Sequence, residues 1–115
     1  EMWRQPNLDL ISNVFPRTYP VGMSVEIIKT DSLKKIMGLT ADSCDSEHVT
    51  RFFYKNPEKF RILNFESGRS ELREVRLAVD TEEDLERIDW LFKEFGGLIN
   101  FEMAAEKSSL WSSVE

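Results

Sequence analysis

Four carboxylates crowd the segment Val79-Asp80-Thr81-Glu82-Glu83-Asp84-Leu85, where a strand-like run leads straight into a helical pattern. Two chemistries suit them. Carboxylates at the carboxyl end of a strand stand where α/β folds place ligands. Hard oxygen ligands there suit Mg²⁺, which takes one or two carboxylates together with phosphate oxygens. Acids at a helix start also meet the positive end of its dipole, so a plain cap accounts for the same residues. A second group is Pro16-Arg17-Thr18-Tyr19-Pro20-Val21-Gly22, with Glu26 four residues after the glycine. Two prolines and a glycine leave such a loop few conformations. Its Arg can grip an anion with a fork of donors and its Tyr offers a flat face to a sugar. The same loop also reads as a surface turn whose Tyr packs on the core. A third group is Ser46-Glu47-His48-Val49-Thr50, in which His48 could move protons or hold a helix start.

Other chemistries are excluded by composition. His48 is the single histidine, so no multi-histidine metal site exists. There is no Ser/His/Asp order, no Cys-x-x-Cys pair and no glycine-rich phosphate loop. Cys44 stands alone among acids, which disfavour a thiolate, and a lone Cys fits a reducing cytoplasm. The 115 residues carry a net charge of −6. That sign repels nucleic-acid backbones, so nucleic acid is not an expected partner. No apolar run approaches the roughly 20 residues of a membrane span, and no membrane partner is expected. Glu1-Met2-Trp3-Arg4 lacks the basic flank and apolar run of a signal peptide, and the missing initiator Met points to a segment of a longer chain.

The elements that must position these groups alternate between strand and helix. Residues 8–12 and 23–28 read as strands. Thr30 or Asp31 can start a helix through Leu33, Ile36 and Met37 that ends at Gly38. Ser46 can cap a second, with Val49, Phe52 and Phe53 inward, stopped by Asn56-Pro57. Residues 60–65 and 72–79 read as strands flanking the turn at 67–70. From Thr81 to Phe95 an apolar stripe of Leu85, Ile88, Leu91, Phe92 and Phe95 marks a helix closed by Gly96-Gly97. Val75, Leu77, Leu85, Ile88, Leu91 and Phe92 are expected in the core, with Glu82, Glu86, Arg87 and Lys93 outside. Residues 98–101 read as a last strand, and a serine-rich tail frays from Ser108. The class is α/β.

Three blocks in this order resemble the spore coat polysaccharide biosynthesis nucleotidyltransferases, relatives of the synthetases of cytidine-monophosphate sugars. They are Asp9–Asn13 with Phe15–Glu26, Glu47–Thr50 with Phe53-Tyr54 and Asn56-Pro57-Glu58, and Leu77–Leu85. The resemblance covers roughly residues 8–95. It implies that residues 1–115 form the C-terminal half-domain of a nucleotide-diphospho-sugar transferase-like mixed sheet with flanking helices. It implies attack by a sugar oxygen on the α-phosphate of a nucleoside triphosphate, usually CTP, with Mg²⁺ in the full-length enzyme. It matches Asp80 to a metal-binding position and Arg17, Tyr19, Gly22 and Glu26 to the loop and strand beside the sugar. It places Glu47 and His48 in a block near that site. The family's N-terminal half, with its nucleotide loop, has no counterpart here, so the segment alone is expected to be inactive and to self-associate as a homo-oligomer. The competing expectations are a non-catalytic, self-associating interaction module and a plain α+β ligand-binding domain.

Overall fold

The computed structural model describes Arg4, residues 7–39, Ser43, residues 47–97 and residues 99–111. Cys44 and Ser46 lie outside these. The chain forms two compact units. One comprises residues 1–16 and 25–65; the other comprises residues 17–24 and 66–115.

The first unit is built on a three-stranded sheet in the order β2-β1-β3. Strand β1, Leu10–Ser12, pairs antiparallel with β2, Glu26–Ile28, and parallel with β3, Ile62–Asn64. The register sets Leu10 opposite Ile28 and Ile62, and Ser12 opposite Glu26 and Asn64. Helix α1, Thr30–Leu39, turns Ile36 inward, while helix α2, Arg51–Lys55, buries Phe52 and Phe53. Leu10, Ile36, Phe52 and Phe53 make the core, with Ile28, Tyr54, Phe60 and Ile62 packed on it. Phe53 and Phe60 stack at 4.6 Å between ring centres, a contact worth about 0.5–1.5 kcal/mol beyond area burial. Asn56 closes α2 through its N–H to Phe52 and Phe53, and Pro57 opens a single tight turn over Pro57–Lys59.

Asp9 ties three pieces of this unit. Its carboxylate accepts the Arg61 N–H at 2.8 Å and the Ser32 hydroxyl, and its carbonyl accepts the Lys29 N–H at 2.9 Å. Burial pushes its carboxyl pKa up, but the Arg61 and Ser32 hydrogen bonds and the Lys29 and Lys35 charges outweigh this and hold it below the ordinary value.

The second unit holds helices α3, Glu82–Phe95, and α4, Phe101–Ser108. The segment 17–24 is fixed to it by backbone. Val21 N–H donates to Val75 at 2.9 Å, and Leu77 N–H donates to Val21 at 2.7 Å. Thr18 is buried, its hydroxyl accepting the Ser67 N–H at 2.8 Å. Gly22 sits at φ +102°, and a Cβ there would lie 2.6 Å from the Ala78 nitrogen, so this close approach requires glycine.

Several expectations change. Val49 and Met37 are exposed, and α1 runs one residue past Gly38. Residues 72–79 do not form a strand. A tight helical turn covers Ser70–Glu74 with Leu72 buried, and only one bridge, Val21 to Arg76, follows. Residues 99–100 are not strand, and Phe101 opens α4 under an Asn100 cap; Leu98 and the tail beyond Trp111 lie outside the described residues. Helix α3 has the expected span but a different inward face. Leu91 is 3% exposed and Asp84 is buried, whereas Leu85 and Phe92 are 56% and 55% exposed. Arg87, expected outside, has only 14% of its side chain exposed. Among the described residues no helix is long and apolar enough to cross a membrane.

Candidate functional site

In the first unit the polar groups gather where β1 and β3, running parallel, both end. Ser12 closes β1, Asn64 closes β3, and Glu26 opens β2 opposite Ser12. Tyr54, from α2, spans the first and last of these. Its hydroxyl stands 2.7 Å from Ser12 Oγ and donates to Glu26 Oε2. A phenol has one proton, so with that proton on Glu26 the Ser12 hydroxyl donates to Tyr54. Ser12 Oγ in turn accepts the Val14 N–H at 3.1 Å. The Tyr54 ring packs on Phe15, 4.9 Å between centres. Buried Asn13 accepts the Val25 N–H at 2.8 Å through Oδ1, which pins the entry to β2. Asn64 accepts the Phe15 N–H and donates to the Pro16 carbonyl, at 2.9 and 3.0 Å, holding the chain that leaves β1. The result is an exposed carboxylate, Glu26, with one oxygen fixed by a half-buried phenol. It can accept hydrogen bonds from a polyhydroxylated ligand in a set direction, at the end of a sheet where open α/β folds bind ligands.

Glu47 and His48 belong to this unit and are exposed, and neither side chain has a hydrogen-bond partner among the described residues. Tyr54 and Ser12 lie in the resembling sequence blocks but carry no expected site role, and Asn64 lies in none of them. Tyr54 lies 42 residues from Ser12 and 28 from Glu26, a separation no local pattern reports.

In the second unit Arg17 donates from Nη2 to Ser24 Oγ at 3.1 Å, while its Nη1 is buried without an acceptor among the described residues. The Tyr19 ring packs on Phe101 at 5.4 Å. Gly22 makes the backbone approach to Ala78 described above. The acid-rich segment divides its labour. Thr81 is the N-cap of α3: its Oγ1 accepts the Asp84 N–H at 3.1 Å and Asp84 Oδ2 accepts the Thr81 N–H at 3.0 Å, a closed capping box. Asp84 Oδ2 also accepts the Asp80 N–H at 3.1 Å. Arg87 Nη2 donates to Asp84 at 3.1 Å, and Arg76 Nε lies 3.4 Å away. The Asp80 N–H above all holds the Asp84 carboxyl well below the usual carboxylate range; burial works against this and is outweighed, with Thr81 and Arg76 adding to the lowering.

Asp80 is left outside the cap. Its exposed carboxylate accepts from Arg76 Nη2 through one oxygen. Among the described residues no three His, Cys, Asp or Glu side chains stand together as a metal site. Asp80 offers one exposed carboxylate, one oxygen of which already faces the Arg76 guanidinium; Mg²⁺ takes as few as one carboxylate where phosphate and water complete its shell.

No family model matches the chain. Over 98 residues, 84% of the chain, the sequence is 32% identical to the uncharacterized protein MJ1063 of Methanocaldococcus jannaschii, of which the match covers 39%. The fold matches a solved cytidylyltransferase from Leptospira borgpetersenii serovar Hardjo-bovis with a TM-score of 0.79 and 23% identity, over 99% of this chain and 47% of that one. The chain thus spans less than half the length of either protein. It has the mixed α/β fold of part of a cytidylyltransferase.

Proposed function

We propose that this chain is the sugar-binding and metal-completing C-terminal part of a cytidylyltransferase-like enzyme, one that activates a sugar as its nucleotide derivative for surface polysaccharide synthesis in the cytoplasm. The observation that carries the reading is the Glu26 carboxylate held by Tyr54 at the end of the parallel strands. Its support is the fold shared with a cytidylyltransferase and the three sequence blocks. In the first unit Glu26 accepts hydroxyl protons of the sugar, with Tyr54 and Ser12 fixing its direction. In the second unit the Arg17 guanidinium, which donates to Ser24 through Nη2, supplies a charged donor for an anionic oxygen. Asp80 would hold Mg²⁺, which when bound neutralises charge on a triphosphate.

Pyrophosphate release from CTP with Mg²⁺ and a panel of acidic sugars tests the reading. The chain alone is expected to show none above background, because it carries no triphosphate cradle. A longer protein containing it and a nucleotide-binding half is expected to release pyrophosphate with one sugar of the panel. Release by the chain alone, or none by the longer protein across nucleotides and sugars, overturns it. The second reading is a non-catalytic module that self-associates. It is favoured by the exposed Leu85 and Phe92 on α3, beside an apolar cavity of about 270 Å³ lined by Met23, Leu77, Ile88, Leu91 and Phe101 among others.

A further inference from the structure

Phe15 is the one phenylalanine of the first unit that stays exposed among the described residues, at 40%; Phe52 and Phe53 are buried, and Phe60 and Phe65 half-buried. It stands beside the acceptor described above. Its ring packs on the Tyr54 ring at 4.9 Å between centres, tilted by 37°. The hydroxyl of that same phenol donates to Glu26. One phenol therefore separates an exposed aromatic ring from an exposed carboxylate. Both are held in place. The Phe15 N–H donates to Asn64 Oδ1 at 2.9 Å, and the Tyr54 hydroxyl is braced by fully buried Ser12. Glu26 has no cationic partner among the described residues, so its charge is left to a ligand or to water.

We propose that Phe15 is a stacking platform for the ring of a pyranose whose hydroxyls reach Glu26. The inference rests on the reading of Glu26 as an acceptor of sugar hydroxyls, and adds the surface on which the sugar lies. An aromatic ring is negative on its faces and positive at its edge. The C–H bonds of a sugar ring are polarised positively by the oxygen on each carbon, and weak donors of this kind settle on a π-face. In a pyranose most C–H bonds point above and below the ring, while equatorial hydroxyls point outward in its mean plane. A sugar laid on Phe15 therefore turns its hydroxyls sideways, toward an acceptor beside the platform. An apolar surface joined to a few directed polar groups is the general form of a small-ligand site. An acyclic polyol offers the same hydroxyls without a fixed C–H face, and a flat aromatic ligand offers the face without a rim of hydroxyls. The two residues together select a cyclic, polyhydroxylated sugar with one face that carries only C–H.

The test uses the 115-residue chain. Methyl β-D-glucopyranoside, methyl β-D-galactopyranoside and N-acetylneuraminic acid are titrated against it in turn, with sorbitol as the acyclic control, and the sugar protons are followed by ¹H NMR. A proton above an aromatic ring is shielded. The C–H protons on one face of a bound pyranose are therefore expected to move upfield along a saturating curve, and those of sorbitol to stay in place. Phe15→Leu keeps an apolar side chain without the ring; it should abolish the upfield shift and weaken binding several-fold. Phe15→Trp should enlarge the shift, and it alone decides if Phe15→Leu unfolds the unit. Glu26→Gln should weaken binding while the shift of the bound sugar persists. The proposal is overturned by no upfield shift with any of the three pyranoses, by an equal shift with sorbitol, or by an unchanged shift in Phe15→Leu or Phe15→Trp. Weaker binding in Glu26→Gln with none in Phe15→Leu removes the platform and keeps the acceptor; the reverse keeps the platform and removes the acceptor.

Discussion

Asp84 and Asp80 stand four residues apart and carry opposite kinds of duty. Asp84 is sunk beneath two backbone N–H groups and two arginines. Because its folded-state pKa is lowered, the stability it contributes is fully present above the unfolded aspartate value of about 3.9. That stability is lost as pH falls from there toward the folded value. Asp84→Asn should lower the melting temperature at pH 7, and the two melting curves should converge as pH drops below about 3.9. Melting temperatures from pH 7 to pH 2 check this; a constant gap across the whole range would remove Asp84 from the acid response. Asp80, by contrast, makes a surface ion pair with Arg76, and such pairs contribute about 0–1 kcal/mol. In a longer, active protein Asp80→Asn should leave the melting temperature nearly unchanged and lower turnover by orders of magnitude. Unchanged turnover with unchanged Mg²⁺ dependence would reduce Asp80 to an ion-pair partner of Arg76.

At the scale of elements, α3 shows how a helix can be legible in length and illegible in orientation. Thr81, Asp84 and Gly96 mark its ends, and the capping box and the Gly96 N–H to Phe92 bear these out. The stripe Leu85, Phe92, Phe95 points one way; the buried set Asp84, Arg87, Leu91 is turned by one residue, about 100°. Hydrophobicity alone places Asp84 and Arg87 in water. They are buried because each neutralises the other and Arg76, eight residues before Asp84, joins them. That partnership is invisible in a helical wheel. The alternation of Val75, Leu77 and Val79 misled in the same manner, since a strand needs a neighbour and Val21 supplies only one bridge. The strands at residues 10–12 and 62–64 and the helix stop at Pro57 were readable because turn chemistry and short-range pattern suffice there. The site residue Tyr54 was not, because its partners come from distant strands. Leu91→Ala should cost about 2–5 kcal/mol, whereas Leu85→Ala should stay within about 0.5 kcal/mol. Urea unfolding of both variants at low protein concentration distinguishes the two faces, and equal costs would restore the stripe as the buried side.

For the molecule as a whole, the face of α3 that carries Leu85 and Phe92 is more than half exposed among the described residues. Contiguous apolar surface of this kind is uncommon on a monomer. The chain is expected to self-associate, and Leu85→Lys combined with Phe92→Lys to restore a monomer. Light scattering across a hundredfold concentration range measures this, and a monomer throughout for the unaltered chain would count against it. The second unit is also discontinuous in sequence, its segment 17–24 separated from its body at 66–115 by most of the first unit. A chain leaves the ribosome N-terminus first, at about 5–20 residues per second. Residues 17–24 are therefore made well before anything they bind. The first unit can close once residue 65 is out, with that segment still waiting as a bare loop. Gly22 meets the Ala78 backbone only afterwards, across a long closure whose entropic cost the bonds of Val21 and Thr18 must offset. Vectorial synthesis thus gives the two halves an order of assembly, and a chain ended just before residue 66 would carry that loop with nothing for it to grip.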